Sequence, residues 1–515
     1  MGKKNKNKKM SGMEKTALKT EKKLNSKRKK ELSDAGEDDI EKIIANIEKE
    51  EAKRNRVTEC IIAPPSRRVN FTLSVHPFKD ELIMFGGEFH NGQKTIVYND
   101  LFFYNLNKKE WSVIKVPGAP PPRCGHQASI VPSGKGDLWI FGGEYTSQSE
   151  SQFYHYRDLW VYRLGEKKWE KITAPGGPTA RSGHRMTYMK KQLFIFGGFH
   201  DNLRDYKYFN DVYIFDLSSY TWSKIEVSGN SPNPRSGCIV LPTPDNKLLV
   251  YGGYSKQRIK KDVDKGQVHT DMFLLAPDKN DSTGTKWKWT LVNQGGIKLS
   301  PRCSSTAILV QQNLAYLFGG VYDDDDNEED LSGKFYNDLI ALNLEKYQWY
   351  TVTLNPKLEQ EERKKRRKEK GTVDEEEEEE SMVVEEPVEE KIITTDDDGI
   401  FTMTVGPAPK TSSSVMEETK LESFTPCPRI NPGLAVKNNN LYLYGGMFED
   451  GNKQYTFNDF YYLDCKKLDK WTTIIKDDLS SQEWLGSSSS EDESTDECDT
   501  SSDEESPVEM DIDKE

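Results

Sequence analysis

The apolar residues of the chain fall in short runs, each closed by a pair of glycines. Six runs begin with Leu or Ala and end with Phe or Tyr directly before Gly-Gly: residues 82–87, 138–143, 193–198, 248–253, 315–320 and 441–446. Runs this short, bounded by turn residues, predict buried β-strands. Successive first glycines are 56, 55, 55, 67 and 126 residues apart, so the chain predicts a repeat protein with an insertion in its last interval.

Three further landmarks keep their order in every unit. An arginine precedes each glycine pair: Arg67 or Arg68, then Arg123, Arg181, Arg235, Arg302 and Arg429. An aspartate follows each pair: Asp100, Asp158, Asp211, Asp271, Asp338 and Asp459. Each unit closes on a tryptophan: Trp111, Trp169, Trp222, Trp289, Trp349 and Trp471. Four landmarks in six copies indicate one repeated structural unit, within which the glycines allow tight turns and the tryptophan supplies packing area.

Each unit has room for four short strands. One twisted four-stranded sheet cannot bury both of its faces, whereas six sheets arranged radially bury each face against a neighbour. About 50 residues with Gly-Gly and a late Trp resemble the kelch repeat, and the chain is similar to the kelch-repeat β-propeller family. The resemblance implies an all-β, six-bladed propeller, with blades one to five in residues 57–353 and blade six in residues 426–476.

Charge is concentrated outside the repeats. Only 35% of the residues are hydrophobic and 30% are charged. Residues 1–30 hold 13 Lys and Arg against two acids, and residues 487–515 hold 13 acids against one Lys. The insertion, residues 354–425, contains a basic run at 363–370 and an unbroken acidic run at 374–380. Such blocks cannot form a core, so we expect disordered charged segments at 1–56, 354–425 and 477–515, all leaving the propeller on the face of its b–c loops.

The segment before the first blade has two parts. Lys22, Lys23 and residues 27–30 resemble a nuclear-import signal and would attract nucleic-acid phosphates without sequence preference. Apolar spacing in residues 39–54 then predicts an amphipathic helix, a spacing also typical of a coiled coil. The helix is expected to dock on its own propeller or on a partner. Whether residues 57–62 add a strand to a blade is open.

Several classes of function are disfavoured by what the sequence does not contain. No stretch of 18 apolar residues is present, and the seven cysteines have no paired spacing. The histidines have no metal-ligand pattern, and the glycine pairs lack the Lys-Ser/Thr of a phosphate loop. His126 and His184 share one repeat position, which favours a packing role. We therefore expect no cofactor, no metal, no membrane span and no enzymatic activity, in an intracellular protein of the nucleus, the cytoplasm or both.

Two sets of basic residues are candidate partner-binding sites. The first lies in the b–c loop of blade four: Lys256, Arg258, Lys260, Lys261 and Lys265. The adjacent loop of blade five is acidic between residues 323 and 330, so these loops either grip a charged partner or pair with each other. The second set is the repeated arginine: Arg123, Arg181, Arg235, Arg302 and Arg429. It either forms a ring for an acidic peptide or pairs with acids of neighbouring blades.

The acidic end of the sequence carries candidate phosphorylation sites. Ser488, Ser494 and Ser501 each stand three residues before an acid, a spacing that resembles substrates of acidophilic casein-kinase-2-type kinases. Taken together, the sequence predicts a non-catalytic, monomeric kelch propeller that acts as a protein-interaction scaffold and contacts nucleic acid only through its basic first segment. The alternatives are substrate recognition for a ubiquitin ligase, or a nuclear or ribosome-assembly factor that uses its charged segments.

Overall fold

Six antiparallel sheets surround a central channel in the computed structural model of the chain. It describes residues 38–485 apart from positions 55, 203–204, 261–262, 280, 282–283, 324–332, 356–423 and 452. Each sheet has four strands, a to d, in spatial order from the channel outward. The predicted all-β, six-bladed propeller is confirmed.

The first three blades contain strands of four to six residues. Blade one has Thr72–Val75, Glu81–Phe85, Leu101–Asn105 and Glu110–Lys115. Blade two has Gln127–Val131, Asp137–Phe141, Leu159–Arg163 and Lys168–Ile172. Blade three has Arg185–Met189, Gln192–Phe196, Val212–Asp216 and Thr221–Lys224.

The other three blades follow the same plan. Blade four has Ile239–Pro242, Leu248–Tyr251, Met272–Pro277 and Lys286–Leu291. Blade five has Thr306–Gln311, Leu314–Phe318, Leu339–Asn343 and Gln348–Thr351. Blade six has Gly433–Lys437, Asn440–Tyr444, Phe460–Asp464 and Trp471–Ile475.

The core of the molecule is divided among the joints between blades. Each of the six joints holds its own cluster of buried apolar side chains, including the one between blades six and one. At that closing joint the Phe71 ring packs against the Gly433 backbone, so that a Cβ on Gly433 would lie 2.6 Å from a ring carbon of Phe71. The ring therefore closes by side-by-side packing of blades, which buries both faces of every sheet.

Short strands extend three sheets at their outer edges. Thr58–Ile62 pairs antiparallel with strand d of blade one, so the segment before the first repeat does add a strand. Glu226–Ser228 and Gly295–Gly296 pair parallel with strand d of blades four and five. A 3-10 turn, Leu479–Ser481, follows blade six.

The predicted amphipathic helix is present as Ile40–Lys53 and is called α1. Asp39 is its N-cap, with a carboxylate oxygen accepting from the Glu41 N–H at 3.0 Å. Ile40 and Ile44 are buried against Tyr156, so this face meets the propeller rather than a second helix. Of the two expected docking modes, the structure has the intramolecular one.

The link between strands b and c forms a two-stranded hairpin in every blade, and we number hairpins one to six by blade. Their strands are Glu88–His90 with Thr95–Val97, Glu144–Thr146 with Phe153–His155, Phe199–Asp201 with Tyr206–Tyr208, Tyr254–Lys260 with Val263–Val268, Val321–Asp323 with Gly333–Phe335, and Met447–Asp450 with Lys453–Thr456. Because antiparallel strands alternate in direction, all six lie on one side, here called the hairpin face.

Candidate functional site on the hairpin face

The repeated arginine lies inside each blade, just before strand a. In blade six the Arg429 guanidinium bonds both carboxylate oxygens of Asp459, at 2.6 and 2.8 Å, and the carbonyl of Gly445 at 2.9 Å. It also lies 3.9 Å above the Phe457 ring. Blades two to five repeat the arginine–aspartate–glycine contacts with Arg123, Arg181, Arg235 and Arg302. In blade one it is Arg68 that bonds the corresponding glycine, Gly86.

This geometry bears on the predicted ring of partner-binding arginines. The guanidiniums are enclosed, and each aspartate belongs to the same repeat as its arginine rather than to a neighbouring blade. Arg429 uses four of its five N–H donors within the blade, since its Nε also donates to the Cys427 carbonyl at 2.9 Å, and burial closes the guanidinium to a ligand. The arrangement therefore favours a structural role for Arg123, Arg181, Arg235, Arg302 and Arg429, and partner binding by them remains a prediction without geometric support.

A ring of backbone hydrogen bonds narrows the channel directly after these arginines. Gly125 N donates to Asn70 O, Gly183 N to Gly125 O, Gly237 N to Gly183 O, and Asn431 N to Ser304 O, all at 2.9–3.0 Å. All of these residues have positive φ, which glycine and asparagine adopt most easily. The closing joint adds an Asn431 to Asn70 side-chain bond at 2.8 Å. The cavity that remains is about 430 Å³.

His126 and His184 lie in the framework around this channel. Each is fully buried and meets a phenylalanine edge-on, Phe85 at 5.4 Å and Phe141 at 5.3 Å between ring centroids. Burial lowers the pKa of His126 to about 3 and that of His184 well below its usual value, with nearby arginines adding to the effect. Both rings are therefore neutral packing groups, as their shared repeat position suggested.

Two glutamates at the bases of hairpins one and two stand beside the channel. Burial raises the pKa of Glu144 to about 8, and the Glu88 carboxylate adds to that rise. Burial also raises the pKa of Glu88, although Asn70 donates to its carboxylate at 2.6 Å. Sequence reasoning missed this pair. The available signal was that Glu follows Gly-Gly in the first two repeats, where the other four have an apolar residue.

Hairpin four has the longest strands of the six among the described residues, and it carries the other predicted partner-binding set. Arg258 is 44% exposed, lies 5.2 Å over the Tyr206 ring and bonds Asp264 at 3.2 Å. Asp205, in the link of hairpin three, lies 3.7 Å from its guanidinium. The described charge partners of Arg258 thus lie in its own hairpin and in hairpin three.

The remaining residues of this set are placed as follows. Lys256 and Lys265 are exposed, and the neighbouring Ile259 is 58% exposed. Lys260 lies in the first strand of the hairpin, and Lys261 lies outside the described residues. Residues 324–332 of the acidic neighbouring loop and Ser488, Ser494 and Ser501 also lie outside them. The pairing of loops four and five therefore stays a prediction.

Helix α1 lies beside hairpin two. Gln152 accepts from the Ile40 N–H at 3.0 Å and donates to the Asp38 carbonyl at 2.9 Å. Between α1 and blade three is a groove of about 670 Å³, on whose floor Trp222 is exposed in part. Composition alone could not reveal Gln152, a single polar residue whose partners are more than a hundred positions away.

The segment after blade six crosses the hairpin face as a strap, residues 476–485. Asp477 pairs with Arg67 at 2.6 Å, and Gln482 accepts from the Thr456 N–H in hairpin six at 3.0 Å. Leu485 N then donates to Asn91 O, in the link of hairpin one, at 2.8 Å. The strap joins the first and last blades and was not predicted, because residues 477–515 were expected to be disordered throughout.

The insertion begins differently from the prediction. Asn355 N donates to Leu468 O, in the c–d turn of blade six, on the side opposite the hairpins. Leu354 packs with the buried cluster around Trp471 there, because the chain follows the outer edge of blade six after leaving blade five. The chain is described again from Phe424, which lies 5.3 Å from Tyr461. The start of the insertion therefore lies on the side opposite the hairpins, whereas the sequence predicted that the insertion leaves on the hairpin face.

The described part of the chain contains no group of three His, Cys, Asp or Glu side chains arranged to hold a metal ion. Among the same residues, no helix is long and apolar enough to cross a bilayer.

Comparison with known proteins finds matches to part of the propeller. Residues 68–280 match the family model described as FBX42, beta-propeller domain, which covers blades one to three and part of blade four. Host cell factor of Drosophila melanogaster is 28% identical over 299 residues, 54% of this chain and 18% of that protein. Human host cell factor 1 is 27% identical over 298 residues, covering 54% and 13%. The propeller is homologous to the matched regions of these proteins.

A plant protein shares a smaller region. Acyl-CoA-binding domain-containing protein 5 of Arabidopsis thaliana is 31% identical over 193 residues, 37% of this chain and 28% of that protein. The chain thus spans less than a third of the length of each of these relatives. The solved structure of YjhT covers 80% of this chain and 98% of its own at 15% identity, with a TM-score of 0.47.

Proposed function

We propose that this propeller is a non-catalytic scaffold that binds a protein partner on its hairpin face. The observation that carries the proposal is a difference between two parts of each repeat. The arginine, aspartate and glycine pair are used inside the blade, whereas the hairpins differ in length and charge from blade to blade. A surface that varies on a constant frame is where a binding protein carries its specificity.

Hairpin four is the proposed centre of that surface. Lys256, Arg258 and Lys265 are exposed in this hairpin, as is Ile259. Lys260 and Lys261 follow next in the sequence. An acidic partner segment would gain charge complementarity there, chiefly in association rate and specificity. Asp264 and Asp205 hold the Arg258 guanidinium in place, so part of the basic surface is ordered before binding.

The test is charge reversal at hairpin four with a matched control. The first variant changes Lys256, Arg258, Lys260 and Lys261 to Glu. The control variant changes to Glu four exposed lysines in turns of the opposite face: Lys108, Lys109, Lys190 and Lys191. Proximity labelling in cells should show at least a fivefold loss of some partners for the first variant and none for the second, with melting unchanged in both. Equal labelling by both variants would move the binding site away from hairpin four.

The narrower resemblance is to kelch-domain-containing protein 4. It is carried by the Lys-rich start, residues 89–95, and residues 255–266, which form most of hairpin four. We propose that the chain is related to this member of the kelch family, because the longest stretch that resembles it lies in hairpin four, the hairpin that differs most from the others. The resemblance implies a non-catalytic protein, and we propose separately that the propeller is monomeric.

Substrate recognition for a ubiquitin ligase is the second candidate, because kelch repeats such as those this chain resembles also occur in ubiquitin-ligase subunits. A role in the nucleus or in ribosome assembly, with a location in the nucleus, the cytoplasm or both, is the third, supported by the basic residues 22–30. The labelling experiment separates them, because ligase adaptors and pre-ribosomal proteins are different partner sets.

A further inference from the structure

Two charged residues lie on the wall of the channel cavity. They are Glu144, at the base of hairpin two, and Arg185, the first residue of strand a in blade three. In blades three to six an apolar residue follows the glycine pair, where blade two has Glu144. Strand a begins with an uncharged residue in the other five blades: Thr72, Gln127, Ile239, Thr306 and Gly433. Neither charge is therefore needed to build a blade.

Arg185 has no acidic partner among the described residues. Its Nε donates to the Cys238 carbonyl, and one terminal nitrogen makes a long bond of 3.5 Å to the His184 carbonyl. No ion pair joins it to a described carboxylate, whereas the nearby Arg181 is bonded to Asp211. Since a guanidinium has five N–H donors, Arg185 keeps donors for a ligand in the channel.

Glu144 has no cationic partner in the same part of the chain. Its carboxylate lies 3.5 Å from His155 Nε2, but burial lowers the pKa of that ring to about 4, so the ring is neutral at pH 7. The Ser182 hydroxyl is fully buried and makes no hydrogen bond to a described residue. Both groups lie beside Gly125, where a Cβ would be 3.3 Å from Ser182 Cβ and 3.7 Å from a Glu144 carboxylate oxygen. A carboxylate and a hydroxyl are thus left open to a cationic donor.

The two charges share one cavity but form no ion pair with each other. Keeping opposite charges out of bulk water without partners costs free energy, which a ligand carrying both countercharges would offset. We propose that the channel cavity binds a small zwitterion, with its ammonium group at Glu144 and its carboxylate at Arg185. The ring of backbone hydrogen bonds through Gly125 and Gly183 narrows the channel there, which favours a free small molecule over a protein segment. The inference does not depend on hairpin four.

The test titrates the full chain with linear amino acids whose two charges are separated by chains of increasing length. The probes are γ-aminobutyrate, ε-aminocaproate and ω-aminocaprylate, each compared with the amine and the carboxylate of the same chain length. By calorimetry at pH 8.5, at least one zwitterion should bind with a Kd below about 1 mM and at least tenfold more tightly than both of its singly charged counterparts. If no zwitterion reaches that affinity, or if a singly charged probe binds equally well, the proposal is wrong.

Two substitutions assign the ends of the ligand. In Glu144→Gln the zwitterion should bind no more tightly than the matched carboxylate, and in Arg185→Met no more tightly than the matched amine. Each comparison is made within one protein, so a general loss of folded protein cannot imitate these opposite changes in selectivity. The same chemical changes outside the channel, Glu166→Gln and Arg258→Met, should alter the Kd by less than twofold. A channel variant that keeps the selectivity of the parent would overturn the assignment.

The dependence on pH gives an independent measurement of the Glu144 contact. Burial raises the pKa of Glu144 to about 8, so an ammonium group displaces a proton from it at neutral pH. The titratable groups that face it are Glu88, Cys124, His155 and Asp201, of which the thiol and the imidazole stay neutral between pH 6.5 and 8.5. The affinity of the parent for the zwitterion should rise at least fivefold over that range, and the affinity of Glu144→Gln less than twofold. An equal rise in both proteins would contradict the role of Glu144.

Discussion

The interior of the propeller and its hairpin face differ in how strictly the six repeats agree. Inside, every blade places an arginine on its own glycine pair, and blades two to six add a two-oxygen bond to aspartate. On the hairpin face, blade four has strands of seven and six residues where blade one has three and three. The repeat thus specifies a common frame, the buried arginine, aspartate and glycine contacts of each blade, and the surface that we propose for recognition lies where the hairpins depart from one another.

The largest effect should come from breaking the interior contact. Arg429→Met leaves the Asp459 carboxylate, whose side chain is 2% exposed, buried without its partner. Removing one member of a buried ion pair costs about 3–5 kcal/mol. We expect the free energy of unfolding, measured by urea denaturation, to fall by that amount.

The matched change on the hairpin face is Arg258→Met. This arginine also pairs with an aspartate, but both side chains are open to water. Exposed pairs contribute less than about 1 kcal/mol, so stability should barely change. Similar losses in both variants would mean that hairpin four belongs to the frame.

A second comparison concerns the tryptophans that close blades three and four. Trp289 is 2% exposed in the cluster between blades three and four, and Trp289→Ala should cost about 3–5 kcal/mol. Trp222 packs on Phe215 at 4.9 Å, but it opens onto the groove beside α1. Since less of its surface is buried, Trp222→Ala should cost about half as much in the same urea titration. A larger loss for Trp222 would show that α1 covers it in solution.

The common frame of the blades could be predicted from the sequence because its characteristic residues recur in every repeat. Arg, Gly-Gly, Asp and Trp appear in order six times, and the structure brings the first three into direct contact. The sequence could not predict that each arginine pairs with the aspartate of its own repeat. The order of residues along the chain does not say whether strand c lies beside strand b of the same blade or of a neighbouring blade.

The contacts of the hairpin face were harder to predict. Gln152 holds α1, and Gln482 and Trp484 hold the strap, yet each occurs once and has partners far away in the chain. Contacts of this kind do not recur along the chain, so no repeat in the sequence can reveal them. Arg258 likewise forms ion pairs with aspartates of hairpins three and four, although its sequence neighbourhood suggested loop five.

Titration extends the same comparison to pH, and the signs of its effects differ between the two regions. His126, in the frame, has its pKa lowered by burial to about 3, so it is neutral when folded and protonates near pH 6.5 when unfolded. Its contribution to stability is complete above pH 6.5 and is lost as pH falls toward 3. His126→Phe should therefore flatten the fall in unfolding free energy between pH 6.5 and 4, by at most about 1.4 kcal/mol per pH unit.

Glu144, at the base of hairpin two, has the opposite dependence. Its pKa is raised by burial to about 8, so the folded state keeps a proton that the unfolded state loses above about pH 4.5. The protonated carboxyl favours folding most at low pH, and this contribution is lost as pH rises from 4.5 through 8. In Glu144→Gln, whose amide does not titrate, the unfolding free energy should fall less between pH 5 and 8 than it does in the parent. If urea titrations across that range give parallel curves for the two proteins, the Glu144 carboxylate must be solvated when ionised, and the channel mouth is open to water.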